Sequence, residues 1–121
     1  MRTSSCKAKG RKLQQMVRDA LLQIGAAFGL EADDVKSTSM GVNGVDVQFS
    51  PAARRLFGPI AFECKNRESL NVPTTFWEHA EKHPEPANIP VLVHKRNRTE
   101  PLVTITLRQF MEFLNGRLNV K

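Results

Sequence analysis

The ten residues GPIAFECKNR, 58–67, decide how the rest of the chain is read. Ile60, Phe62 and Cys64 alternate with Ala61, Glu63 and Lys65, the two-residue period of a strand with unlike faces. Upstream, VDVQF (45–49) alternates too, with Val45, Val47 and Phe49 opposite Asp46 and Gln48. The Asn43-Gly44 turn signal precedes it and Pro51 closes it. The linker PAARRLFGP is short enough to join the two runs as an antiparallel hairpin. Paired so, the strands turn their apolar faces to the helices and gather Asp46, Glu63 and Lys65 on the opposite face.

Around this pair the chain spells alternating elements. Leu13, Met16, Val17, Ala20, Leu21, Ile24 and Phe28 recur at helical spacing from Arg11 to about Phe28, and Gly25 and Gly29 loosen its end. The stretch LEADDVKSTSMGVNG reads as loop and turn, with room for a short helix or strand between Leu30 and Lys36. A second helix fits TTFWEHAEKH, with a Thr75–Glu78 capping box and a stop at Pro84. PVLVHK and PLVTITL, joined by the polar RNRTE, form a second antiparallel pair. A last helix, RQFMEFLN, is expected to bury Phe110, Phe113 and Leu114 and to end near Gly116. The expected fold class is α/β or α+β, with a central mixed β-sheet flanked by helices. Residues 1–10 are expected as a flexible basic arm, and 11–121 as one domain.

Bulk properties narrow the function classes. The 121 residues carry 18 Lys and Arg against 12 Asp and Glu, a net charge of +6, which favours a polyanionic partner, nucleic acid first. No apolar run approaches the roughly 18 residues of a membrane span, and no apolar segment follows the basic start as in a secretory signal. Cys6 and Cys64 make neither a disulfide framework nor a zinc pattern, so a reduced, cytoplasmic protein is expected.

The chemistry concentrates at Asp46, Glu63 and Lys65. Two carboxylates on one strand face repel, and a hard divalent cation relieves that repulsion. A lysine beside the cation orients a bound water and offsets charge on a phosphate. The set suits hydrolysis of a phosphodiester; the plain alternative is the wet face of a hairpin. Cys64 points to the apolar face and reads as a small core residue. His79 and His83, spaced i, i+4, could make half a zinc site, but no third ligand has sensible spacing, and an exposed or capping role fits better. Phe76 and Trp77 read as core or dimer interface.

Asp46 followed by Glu63-Cys64-Lys65 resembles the PD-(D/E)XK nucleases, with Val45 at the Pro position and GVNGVDV in the turn-then-Asp form. The resemblance covers roughly residues 11–115 and implies a restriction-endonuclease-like core. Within that superfamily KSTSMGVNGVDV and FECKNR look most like the archaeal and phage Holliday junction resolvases, with Ser39 matching their loop serine. It implies a homodimeric endonuclease, in a bacterial, archaeal or phage-infected cell, that cuts four-way junctions with Mg2+, or Mn2+ as a possible substitute. Asp46, Glu63 and the backbone carbonyl of Cys64 would hold the metal, and Lys65 would position the attacking water. Such resolvases carry a glutamate on the first helix, where this chain offers Gln14, Gln15 and Asp19. Either a glutamine amide such as that of Gln14 stands in, or a second metal is bound weakly. One-metal chemistry stays open.

The remaining cations would hold DNA phosphates: Lys7, Lys9, Arg11 and Lys12 in the arm, Arg54 and Arg55 in the linker, Arg67 after the catalytic strand, and Lys95, Arg96 and Arg98 in the second hairpin. Leu56, Phe57, Phe76 and Trp77 are the candidate interface residues. The rivals are another nuclease of the same fold, of nicking, flap or repair type, and a non-catalytic basic nucleic-acid-binding module.

Overall fold

A computed structural model of the chain describes residues 3–38 and 45–119. Helix α1 runs Thr3–Ala26, so residues 3–10, expected as a mobile arm, are its first two turns. The polar run TSSCKAKGRK contains no proline, and a solvated helical face needs no apolar residue on it. The buried stripe is narrower than the apolar spacing suggests. Leu13 is buried and Val17, Leu21 and Leu22 pack on the core, whereas Met16, Ile24 and Phe28 are exposed. Gly25, one residue before the helix end, lets Leu30 fold back onto the last turn: a Cβ there would stand 2.5 Å from the Leu30 side chain.

A 3-10 turn at Ala32–Asp34 leads into β1 (Val35–Ser37), which pairs antiparallel with β2 (Val47–Phe49). The expected hairpin between VDVQF and IAFECK does not form. Its linker is instead helix α2 (Pro51–Phe57), capped at both ends. Ser50 Oγ accepts the Ala53 N–H at 3.1 Å, Pro51 fills the first helical position, and Gly58, at φ 91°, closes the helix by donating to the Arg54 carbonyl. Ser50 Oγ also donates to Asp34, which ties the start of α2 back to the 3-10 turn.

The second sheet is three-stranded and mixed, in the order β3-β4-β5. β3 (Ile60–Asn66) runs parallel to β4 (Ile89–Lys95), with Glu63 opposite Leu92 and Lys65 opposite His94. Helix α3 (Val72–Lys82) makes the crossover a parallel pair requires. Its cap is Asn71, whose side chain accepts the Thr74 N–H, rather than the expected Thr75; the Thr75 hydroxyl donates to the Asn71 carbonyl. β5 (Leu102–Thr104) returns antiparallel to β4, as the sequence leads one to expect. The turn between them places Arg98 at φ 64°, a backbone region that favours glycine.

Two layers follow. On one face of the β3–β4 pair, Phe62, Cys64, Val91 and Val93 close over Leu13, Val35, Val47 and Ala53. On the other, α3 covers the face of Ala61, Glu63 and Leu92 with the buried Phe76 and His79. Each fully buried leucine, Leu13 and Leu92 among them, contributes about 1.5–3 kcal/mol.

Helix α4 (Leu107–Asn119) departs most from expectation. It runs through Gly116, and Phe110, Phe113 and Leu114 remain 48, 45 and 38% exposed. Among its described side chains only Gln109 is buried. Among the described residues no helix is long and apolar enough to cross a membrane.

Candidate active site

Asp46 sits one residue before β2, where the two-stranded unit meets β3. Its N–H donates to the Phe62 carbonyl at 3.0 Å, and its Oδ2 accepts the Cys64 N–H at 2.7 Å. Phe62 and Cys64 point these groups off the edge of β3 away from β4, so Asp46 satisfies backbone that would otherwise be unpaired. The first site residue therefore reaches the second through the strand edge, and not through a hairpin ladder.

The Asp46 carboxyl is raised to about 6, by burial first and, against the opposing amide of Cys64, by the neighbouring Glu63 carboxylate as well. Lys65 pulls the other way. Glu63 and Lys65 thus both act on the Asp46 carboxyl, with opposite signs.

Glu63 and Lys65 open into a cleft of about 360 Å³ between the end of β3 and α3, lined also by Arg67, Glu78, His79 and Lys82. The Cys64 side chain faces the core. Burial pushes its thiol above the ordinary range, with Asp46 and Glu63 adding to the effect, which removes the sulfur as a nucleophile or ligand. Its backbone carbonyl leaves β3 on the same edge as the N–H that Asp46 holds. Gln14 is 3% exposed on α1, and its Oε1 has no hydrogen-bond partner among the described residues. Ser39 lies outside the described residues.

The residue that sequence reading placed wrongly is His79. It is 2% exposed, with Nε2 at 2.8 Å from the Ala61 carbonyl and Nδ1 at 3.9 Å from Glu63 Oε2. Burial holds its pKa below the usual histidine value. The available signal was its spacing to Phe76: residues three apart on a helix share a face, and an apolar Phe76 marks that face as the inner one. Phe76 is buried, which removes it from any interface, while Trp77 stays 59% exposed; Phe57 packs on the core against Phe49, and Leu56 lies at the surface.

The cation set divides into three places, with Arg98 apart from them on the β4–β5 turn. Lys7, Lys9, Arg11 and Lys12 lie along the N-terminal half of α1, and Arg54 and Arg55 on α2, where Arg54 donates to the Ala87 carbonyl. Arg67, Lys95 and Arg96 line an open cavity of about 660 Å³ at the carboxyl ends of β3 and β4, floored by Leu70 and Leu102. Arg67 and Leu70 border both this cavity and the cleft of Glu63 and Lys65.

Among the described residues, no three of His, Cys, Asp and Glu form a ready-made cation cage. The donors present nevertheless fit a hard cation. The Asp46 carboxyl lies beside Glu63, and Gln14 Oε1 is a buried oxygen with no hydrogen-bond partner among the described residues. The chain matches no family model, no curated protein and no solved structure.

Proposed function

We propose that the chain is a metal-dependent DNA endonuclease of the PD-(D/E)XK type, with a restriction-endonuclease-like core, that resolves four-way junctions as a homodimer. The observation that carries this reading is the Asp46 carboxyl held on the Cys64 N–H at the edge of β3, beside Glu63 and Lys65, and raised by burial first and by Glu63 after it. A basic surface that passes the mouth of that cleft favours a nucleic-acid substrate.

Asp46 and Glu63, with the Cys64 carbonyl, would hold Mg2+, and the buried Gln14 Oε1 on α1 has no hydrogen-bond partner among the described residues. When bound, the ion supplies Lewis acidity toward the phosphate and lowers the pKa of a coordinated water. Lys65 positions the attacking water and offsets the charge that builds on the phosphate. Water adds to phosphorus, the bond to the 3′ oxygen breaks, and that oxygen takes a proton, leaving a 5′-phosphate and a 3′-hydroxyl. Cutting two strands of a junction at related positions calls for two such sites about a two-fold axis.

The test is cleavage of labelled four-way junction, flap, nicked duplex, linear duplex and single strand, with Mg2+ or EDTA, by wild type and Lys65→Ala. Symmetric junction cutting lost in EDTA and in the variant is expected. Better cutting of another substrate would keep the nuclease and discard the resolvase. Metal-independent binding without cutting would leave a basic binding module.

A further inference from the structure

His79 is more than a buried ring under the site. The Ala61 carbonyl can only accept, so the ring nitrogen 2.8 Å from it, Nε2, carries the hydrogen. In the neutral ring Nδ1 then holds a lone pair. It is buried, has no hydrogen-bond partner among the described residues, and stands 3.9 Å from a carboxylate oxygen of Glu63. The Glu63 side chain, 23% exposed, reaches the solvent of the cleft, but Nδ1 does not: it loses solvation without gaining a donor.

Either a proton or a cation resolves it. A second proton on the ring is disfavoured by burial and by the neighbouring His83 and Lys82, with Asp46 and the Ala61 carbonyl acting in its favour. A cation fits after a small shift. Two ligands each about 2.1 Å from one ion stand about 3.0 Å apart at a right angle and about 3.4 Å at the tetrahedral angle. The partly exposed Glu63 carboxylate would therefore close in by about half an ångström from 3.9 Å. The ring is also braced in the manner of metal-binding histidines, whose other N–H goes to a backbone carbonyl or carboxylate. The adjoining cleft of about 360 Å³ leaves space for coordinated water.

We propose that His79 gives a nitrogen ligand, through Nδ1, to a divalent ion shared with Glu63, and that the site therefore selects Mn2+ over Mg2+. Imidazole nitrogen is a good ligand for first-row transition metals, whereas magnesium keeps to oxygen donors and water. This rests on the metal-dependent reading of Asp46 and Glu63 and adds the donor that decides which metal is taken.

The experiment uses the full chain, stripped with chelator and titrated with Mn2+, followed by electron paramagnetic resonance. Electron spin-echo modulation from a directly bound nitrogen is the primary readout and needs no variant. His79→Gln keeps a side-chain N–H for the Ala61 carbonyl but removes Nδ1; His83→Gln controls for the neighbouring ring. Nitrogen modulation in wild type and in His83→Gln, lost in His79→Gln with an affinity loss for Mn2+ of about 10-fold or more and little change for Mg2+, is expected. Mn2+ bound by wild type without nitrogen modulation, or equally well by His79→Gln, would make His79 a core histidine and leave the carboxylate site standing. Failure of both ions to bind wild type, with Glu63→Gln behaving the same, would remove the metal reading and the proposal together. Should His79→Gln not fold, the wild-type spectrum, with nitrogen-15-labelled histidine, still decides.

Discussion

Asp46 Oδ2 accepts the backbone N–H of Cys64 at 2.7 Å, so the carboxylate that completes the candidate site also caps the outer edge of β3. The two β units are joined here, by this bond and by the Asp46 N–H on the Phe62 carbonyl. Asp46→Ala leaves the Cys64 N–H without its acceptor and is expected to cost about 1–3 kcal/mol in urea unfolding. Asp46→Asn keeps an acceptor oxygen and should lose much less stability, while cleavage falls in both. An Asp46→Asn protein that unfolds as readily as Asp46→Ala would mean that the charge, and not the bond, holds the edge.

The pH dependence has a definite sign. Asp46 is raised from 3.8 to about 6, so between those values the folded protein keeps a proton that the unfolded chain has released. The stability from this group is present at low pH and lost as pH rises through about 6. In chelator, Asp46→Asn should therefore gain on wild type as pH rises from about 4 to about 6, and hold that gain above, read as the difference in urea midpoints. A constant difference across that range would show Asp46 titrating at its ordinary value.

Buried and exposed leucines should separate cleanly. Leu13→Ala and Leu92→Ala remove fully buried side chains and are expected to cost about 2–5 kcal/mol each. Leu107→Ala and Leu118→Ala, at 71 and 83% exposure, should stay within about 0.5 kcal/mol in dilute solution. Thermal or urea unfolding of the four variants checks this directly.

If DNA passes the mouth of the cleft, Arg67→Ala and Arg96→Ala should each weaken junction binding and lower the salt slope by about one, measured in EDTA by anisotropy. Arg55→Ala, out on α2, lies away from that mouth. It should change the slope less. Equal effects from all three would describe a diffuse basic surface.

Much of the core of the fold was legible. The alternation in IAFECK, the stop at Pro84 and the polar RNRTE turn foretell β3, the end of α3 and the β4–β5 pair. The misplaced hairpin has a physical explanation. Ser50-Pro51 and Gly58 bracket seven residues with an N-cap, a proline at the first helical position and a positive-φ stop, and these local signals outweigh the shortness of the linker. Asp46 still comes beside Glu63 and Lys65 because it needs only the edge of β3, which does not require a ladder. His79 was misread because two histidines at i, i+4 suggest a surface pair, while burial is set by what α3 packs upon. Periodicity in α4 marks an apolar face, but periodicity carries no information on whether a neighbour covers it.

That uncovered face has an energetic consequence. α4 is fastened by its first turn: the Thr106 hydroxyl accepts the Gln109 N–H, Gln109 is buried, and Arg108 pairs with Glu85 and Glu112. Beyond that turn little buried area ties the helix to β3 and β4, so its opening free energy lies far below that of global unfolding. In hydrogen exchange its amides past Glu112 should trade for deuterium well before those of Phe62 or Leu92. The C-terminal helix should thus open locally before the sheet it follows.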